Sequence, residues 1–235
     1  MPSDPGDRHP PMNLGVILPA LNAARHLPAV VADLRAAQPG IRVLVVDDGS
    51  TDGTAAAARQ AGAEVITHPR NLGKGAALMT GYHWAVQTGL EWVFTMDADG
   101  QHLPQDMQGF LDAVAGGGLD VVVGSRMDRP ADMPWIRKMT NLFTSWVVSR
   151  LAGCRIPDSQ NGFRLYRVAC LPDVRIKATR YDAESEILVR LARRGYRIGS
   201  APVTTVYGDE KSSINPLVDT GRFFRLVARL IFTRD

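Results

Sequence analysis

Apolar runs of strand length alternate with helical stretches through the first half of this chain, and that alternation leaves few folds open. The spacing predicts strands at 14–18, 43–46, 64–66, 92–96 and 121–123, and helices at 23–37, 51–61, 75–88 and 103–115. Ser50 reads as the cap of the second helix. Strands alternating with helices require a mostly parallel sheet joined by right-handed crossovers, with helices on its faces. After Gly124 the alternation weakens. Apolar residues at helical spacing predict a helix over 135–151, another over 183–194 stopped by Gly195, and an amphipathic one over 217–232 carrying Arg222, Arg225 and Arg229. Residues 196–206 read as a strand or hairpin. A length of 235 residues suits one large α/β domain, here 12–235 behind a polar, proline-rich tail at 1–11.

Composition excludes several classes. Hydrophobic residues make up 45% and charged residues 22%, as in ordinary soluble proteins. Cys154 and Cys170 have no metal or redox spacing, which favours a reducing compartment over a disulfide framework. The first residues lack the apolar core of a signal peptide. No apolar stretch reaches the roughly 18 residues needed to span a bilayer. Net charge is only +3, yet basic residues recur from Arg126 on, at Arg129, Arg137, Lys138, Arg150, Arg155, Arg164 and Arg167. A basic second half points to a phosphate-bearing or membrane-surface partner. With 7% aromatics and no recognisable nucleic-acid motif, nucleic acid is not an expected partner.

The fourth predicted strand runs into Met96-Asp97-Ala98-Asp99-Gly100-Gln101-His102. Carboxylates two residues apart on an extended chain share a face and can aim at one ion, at the end of the sheet where α/β folds hold ligands. Their oxygens suit Mg²⁺ or Mn²⁺. Alone, Asp-x-Asp-Gly is equally a solvated turn. An EF-hand is excluded, because the twelfth residue from Asp97 is Gln108 rather than Glu. The second strand ends on Asp47-Asp48-Gly49-Ser50, where the acids could accept hydrogen bonds from a base or ribose, or serve turn chemistry alone. Asn71-Leu72-Gly73-Lys74-Gly75 opens the third helix with two glycines that let backbone N–H groups approach an anion. It is not a Walker A loop, and no Gly-x-Gly-x-x-Gly follows the first strand.

The ordered set of Pro19-Ala20-Leu21-Asn22, Asp47-Asp48-Gly49-Ser50 and Asp97-Ala98-Asp99 resembles glycosyltransferase family 2, with its GT-A fold, a Rossmann-like α/β sheet. The resemblance continues through Val123-Gly124-Ser125-Arg126, Asp158 to Arg164, Glu184 to Leu188, Gly195 to Ile198 and Lys211 to Pro216. It is strongest to the dolichyl-phosphate mannose synthase branch, which moves a sugar onto a polyprenyl phosphate. The resemblance implies that Pro19, Leu21, Asn22, Asp47 and Asp48 hold the nucleoside, with Lys74, Ala98 and Lys211 near the donor. It implies that Asp97 and Asp99, completed by Gln101, bind the divalent cation, and that Arg126 and Arg164 face the acceptor phosphate. Asp158 is left as either a base or an organiser of Arg164. Residues 12–125 would form the nucleotide-sugar half and 126–235 the acceptor half. Where many members carry Glu after the Asn of the first loop, this chain has Ala23.

The family implies an inverting displacement at the anomeric carbon, with the cation easing departure of the nucleoside diphosphate. A hydroxyl acceptor needs a general base, whereas a phosphate monoester is already anionic and needs arginines to position it. The expectation is a cytoplasmic enzyme, in peripheral contact with a membrane if the helices at 135–151 and 217–232 lie on lipid rather than in the core. Transfer to a soluble or protein hydroxyl, a nucleotidyltransferase and a non-catalytic nucleotide-binding module are the competing readings. The donor base, the sugar and the oligomeric state are not readable from the sequence.

Overall fold

The computed structural model describes residues 12–127, 135–174, 176, 182–204 and 216–232. The tail at 1–11, Arg129 and Lys211 lie outside the described residues. Seven strands form one sheet in the order β3-β2-β1-β4-β6-β5-β7. The strands are β1 (Leu14–Ala20), β2 (Arg42–Asp47), β3 (Glu64–Thr67), β4 (Trp92–Thr95), β5 (Val121–Ser125), β6 (Arg164–Arg167) and β7 (Ile198–Pro202). All run parallel except β6, which is antiparallel to both its neighbours. The helices are α1 (Leu27–Ala37), α2 (Thr54–Gln60), α3 (Lys74–Gln87), α4 (Met107–Ala115), α5 (Trp135–Ala152), α6 (Asp182–Arg193) and α7 (Pro216–Phe232).

Successive strand residues point to opposite faces, so each central strand feeds two cores. Val16, Leu18, Val45 and Phe94 pack with Leu27, Val31 and Leu34 of α1 and Phe110 and Leu111 of α4. Ile17, Leu44, Val46 and Val93 pack on the other face with Leu78, Tyr82 and Trp84 of α3, Ile187 and Leu188 of α6, and Leu226 and Leu230 of α7. Both faces of the sheet are covered, which is why β1, β2, β4 and β5 read as continuous apolar runs.

The expected strands and helices of the first half are present, with three helix starts moved; α4 begins at Met107 rather than at 103, behind a 3-10 turn at Pro104–Asp106. Helix α1 begins at Leu27, with proline in its first turn, rather than at 23. Helix α2 begins at Thr54 behind a left-handed Gly53, because Ser50 accepts from the Asn22 N–H at 2.9 Å instead of capping. The early starts of α1 and α2 fail for the same reason: residues 21–26 and 50–53 are tied to each other across the top of the sheet. Strand β6 is new; four residues with arginine at both ends carry no apolar run to reveal them.

Helix α5 is built inside out. It buries Asn141, Thr144, Ser145, Val148 and Ala152. Trp135, Ile136, Met139, Leu142, Phe143 and Trp146 are exposed, Trp135 at 74% and Trp146 at 58%. Its polar side is inside because Asn141 and Ser145 bond the buried Asp158 and Ser159. Helix α7 is mostly conventional, with Leu226 and Leu230 buried, although Ile231 and Phe232 at its end are exposed. Wholly buried Glu186 of α6 pairs with Arg190 at 2.8 Å and reaches Arg229 of α7 at 3.9 Å. Among the described residues no helix is long and apolar enough to cross a membrane.

The β1–α3 contact leaves no room for a methyl group at Gly81, where a Cβ would lie 2.4 Å from Ile17 Cγ2. Gly81→Ala gains about 1 kcal/mol of helix propensity. It loses about 1–3 kcal/mol to overpacking against a rigid β-branched side chain. Net destabilisation is expected in urea unfolding. Gly109→Ala in α4, where a Cβ meets nothing within 4 Å, should instead raise the midpoint.

Candidate active site

Strands β2, β1 and β4 are neighbours, and their carboxyl ends bring three polar loops to one edge. The loop after β1 holds Asn22 at a φ of 54°, with its Oδ1 accepting from the Thr51 N–H at 2.9 Å. Pro19 is the penultimate residue of β1, and Leu21, 46% exposed, follows the strand's last residue, Ala20. Asp47 is buried and its Oδ1 accepts from the Ser50 N–H at 2.9 Å. Gly49 has a φ of 75°, and a Cβ there would meet the Arg70 carbonyl carbon at 2.4 Å, so the turn requires glycine.

Asp48 is bonded to protein groups on both carboxylate oxygens. Its Oδ1 lies 2.7 Å from His68 Nδ1 and accepts from the Leu72 N–H at 2.9 Å, and its Oδ2 accepts from the Gly73 N–H at 2.7 Å. Those bonds pin the loop that opens α3. A carboxylate only 4% exposed has no other way to recover its lost hydration. The resemblance implied a donor contact here; the structure makes Asp48 a brace.

Lys74, the first residue of α3, lies between two acids. Its Nζ is 2.6 Å from Asp97 Oδ1 and 2.9 Å from Glu184 Oε2. Glu184 belongs to the first turn of α6, where an acid meets the positive end of the helix dipole. Burial alone would raise the Asp97 carboxyl, but the Lys74 ammonium and the nearby His102 outweigh it and hold it well below the ordinary carboxylate range. Burial alone would lower the Lys74 ammonium, and Asp97 and Glu184 together hold it above the ordinary lysine value instead. Ala98 is buried, and Asp99 Oδ1 accepts from the Gln101 N–H at 3.0 Å. Gly162 hangs from β4, its carbonyl accepting from Thr95 Oγ1 at 3.0 Å. A Cβ at Gly162 would fall 2.8 Å from Asp97 Oδ2, so that position keeps space open around the carboxylate.

The two arginines assigned to the acceptor separate. Arg126, after β5, is 22% exposed, and its Nε and Nη2 donate to Asp158 Oδ2 and Oδ1 at 2.7 and 2.9 Å. Arg164 is fully buried. Its guanidinium donates to the carbonyls of Asn161, Ser159 and Glu184 at 2.8, 2.9 and 2.8 Å. Such a side chain ties backbone together; it supports the turn of α6 that carries Glu184. Asp158 organises Arg126, not Arg164. Burial would raise its carboxyl, but Arg126 and Asn141 outweigh that and hold it below the ordinary value, which suits a permanent anion rather than a base.

The sequence reading missed Glu184 and His68 as parts of this site, because their partners lie 110 and 20 positions away in the chain. His102 stood in the quoted motif without a role; its Nε2 is 3.6 Å from Asp97 Oδ2, and its ring lies 5.4 Å from that of Phe163. Among the described residues no three His, Cys, Asp or Glu side chains close on one metal position. Asp97 and Asp99, with the space Gly162 preserves, fit a hard cation that takes its other oxygens elsewhere.

The glycosyl transferase family 2 model matches residues 15–174, the span that holds all three strand-end loops and Asp158. This chain belongs to glycosyl transferase family 2. The family member is 31% identical over 213 residues to the polyprenol monophosphomannose synthase of Mycolicibacterium smegmatis, covering 86% of this chain and 80% of that protein. It is 32% identical over 216 residues to the undecaprenyl-phosphate mannosyltransferase of Micrococcus luteus, covering 86% and 88%. Its fold superimposes on glucosyl-3-phosphoglycerate synthase from Mycobacterium tuberculosis, solved with Mn²⁺, UDP and phosphoglyceric acid. The TM-score is 0.67 at 21% identity, covering 94% of this chain and 77% of that one. The sheet is thus the GT-A fold.

Asp158→Asn removes the partner of an arginine and leaves a buried cluster short of charge. It should lower unfolding free energy by about 3 kcal/mol near pH 7. Because the folded carboxyl lies below its usual value of 3.8, this stabilisation is complete above about pH 4 and is lost as pH falls through the folded value. Urea titrations of both proteins should therefore converge in acid.

Proposed function

We propose that this family member transfers a sugar from a nucleotide-sugar donor to a polyprenyl phosphate at a membrane surface, using Mg²⁺ or Mn²⁺. The observation that carries the acceptor assignment is α5, which turns Trp135, Ile136, Met139, Phe143 and Trp146 outward. The same helix contains Arg137, Lys138 and Arg150 and no acidic residue. An apolar stripe flanked by cations fits the interface of an anionic bilayer. A cavity of about 620 Å³ opens beside Trp146, lined among others by Met127, Leu142 and Cys154. Met127 on its wall follows Arg126 in the chain, and the Arg126 guanidinium is held in orientation by Asp158. Polyprenyl-phosphate activity in the names of two relatives and UDP with Mn²⁺ in the structural neighbour support the same reading.

In this reading Asp97 and Asp99 would hold the cation, which when bound would supply Lewis-acid stabilisation to the departing diphosphate. Asn22 and Asp47 line the donor side. Arg126 orients the acceptor phosphate, whose anionic oxygen attacks the anomeric carbon without a protein base as the bond from that carbon to the nucleoside diphosphate breaks. The resulting displacement inverts the anomeric carbon.

A panel of radiolabelled GDP- and UDP-sugars with short polyprenyl phosphates, followed by extraction into organic solvent, tests the assignment. One donor should give a labelled lipid product, and chelator should abolish it. Asp99→Ala should lower that transfer by about 100-fold or more. Label that stays in water with every lipid acceptor, and appears on a soluble acceptor instead, would overturn the lipid reading.

Flotation with anionic vesicles tests the surface separately. Each large apolar side chain withdrawn from water contributes about 1.5–3 kcal/mol. The double change Phe143→Ser, Trp146→Ser should therefore remove most bound protein at low salt, while its circular dichroism stays that of the parent. Equal flotation of both proteins would discard α5 as the contact.

A further inference from the structure

Lys74 opens α3 directly after the Asn71–Gly73 loop, its ammonium 2.6 Å from the first carboxylate of the Asp97–Asp99 pair, and Glu184 holds it from the other side at 2.9 Å. Lys74 is 17% exposed and Glu184 7%, so neither charge is well screened by water. We infer that Lys74 is a positioning residue that makes divalent-cation binding depend on the nucleotide diphosphate: its charge neutralises and orients Asp97 and opposes a cation that arrives alone, while Glu184 restrains it from taking Asp97 altogether.

The sign follows from charge. A cation on Asp97 shares that carboxylate with an ammonium, and like charges at such spacing in a partly buried site repel. A diphosphate brings negative charge that offsets both, so the cation and the nucleotide each strengthen the other's binding, reciprocally. Glu184 acts in the opposite direction to Lys74. Without it, Lys74 loses a carboxylate partner and the site loses a negative charge. The main-chain anchor of Glu184, its carbonyl accepting from Arg164 Nη1 at 2.8 Å, keeps this restraint rigid. Arg164 is thereby linked to the cation site through Glu184 and Lys74.

The inference rests on the proposed cation site and is tested by Mn²⁺ binding, read by electron paramagnetic resonance or calorimetry, with and without UDP or GDP. The wild-type protein should bind Mn²⁺ weakly alone and much more tightly with its nucleotide. Lys74→Gln should tighten Mn²⁺ binding without nucleotide by about tenfold or more, and reduce the gain on adding nucleotide by a similar factor. Glu184→Gln should change Mn²⁺ affinity in the opposite sense and weaken it. Lys74→Arg, which keeps the charge, should keep the wild-type coupling. A merely structural role would weaken binding in both charge-removing variants, and that result overturns the inference. So does unchanged Mn²⁺ affinity in Lys74→Gln. Should that variant fail to fold by circular dichroism, Lys74→Met removes the same charge with a side chain of similar length and is judged by the same two outcomes. Wild-type protein that binds no Mn²⁺ under any condition would overturn the cation site itself.

Discussion

A carboxylate withdrawn from water must find donors, and the polar edge of this sheet is organised by that requirement. Asp48 is satisfied by two backbone N–H groups and a histidine, which fixes the loop ahead of α3. Asp158 is satisfied by Arg126 and Asn141, which fixes the end of β5 against α5. Asp97 and Glu184 share one ammonium, which fixes α3 against α6. Each pairing joins segments far apart in sequence. The apolar cores hold the strands and helices together, and these ion pairs decide where the loops between them stand.

The same requirement explains the inverted helix. Asn141 and Ser145 have to face inward because Asp158 and Ser159 are there, so the apolar side of α5 has nowhere to go but the surface. In a protein without an apolar partner that arrangement would leave an aggregation-prone patch. With a lipid acceptor it becomes a docking face beside Arg126. Family membership, the fold and the outward α5 stripe are what the proposed lipid-acceptor function draws on.

Much of the fold was legible. The parallel strands β1, β2, β4 and β5 announced themselves through apolar runs, because both faces of the sheet are covered. The polar strand β6 did not, since its arginines serve the ends of the strand rather than a core face. Among the candidate residues, the place of Asp97 and Asp99 just past β4 was readable from the apolar run before them. Asp48 and Arg164 carried the right charge for ligands, and their burial among protein partners could not be read from local sequence.

The sequence by itself determined the α/β class, the order of the loops at the sheet edge and the family to which they point. These depend on local periodicity and on residue types at fixed offsets. Tertiary structure alone decided which charges are spent on the protein and which remain at the cleft. It turned Asp158 toward Arg126, enclosed Arg164 among carbonyls, and set Lys74 between Asp97 and Glu184. The physical reason is that charge pairing acts over a few ångströms in space and is blind to separation along the chain.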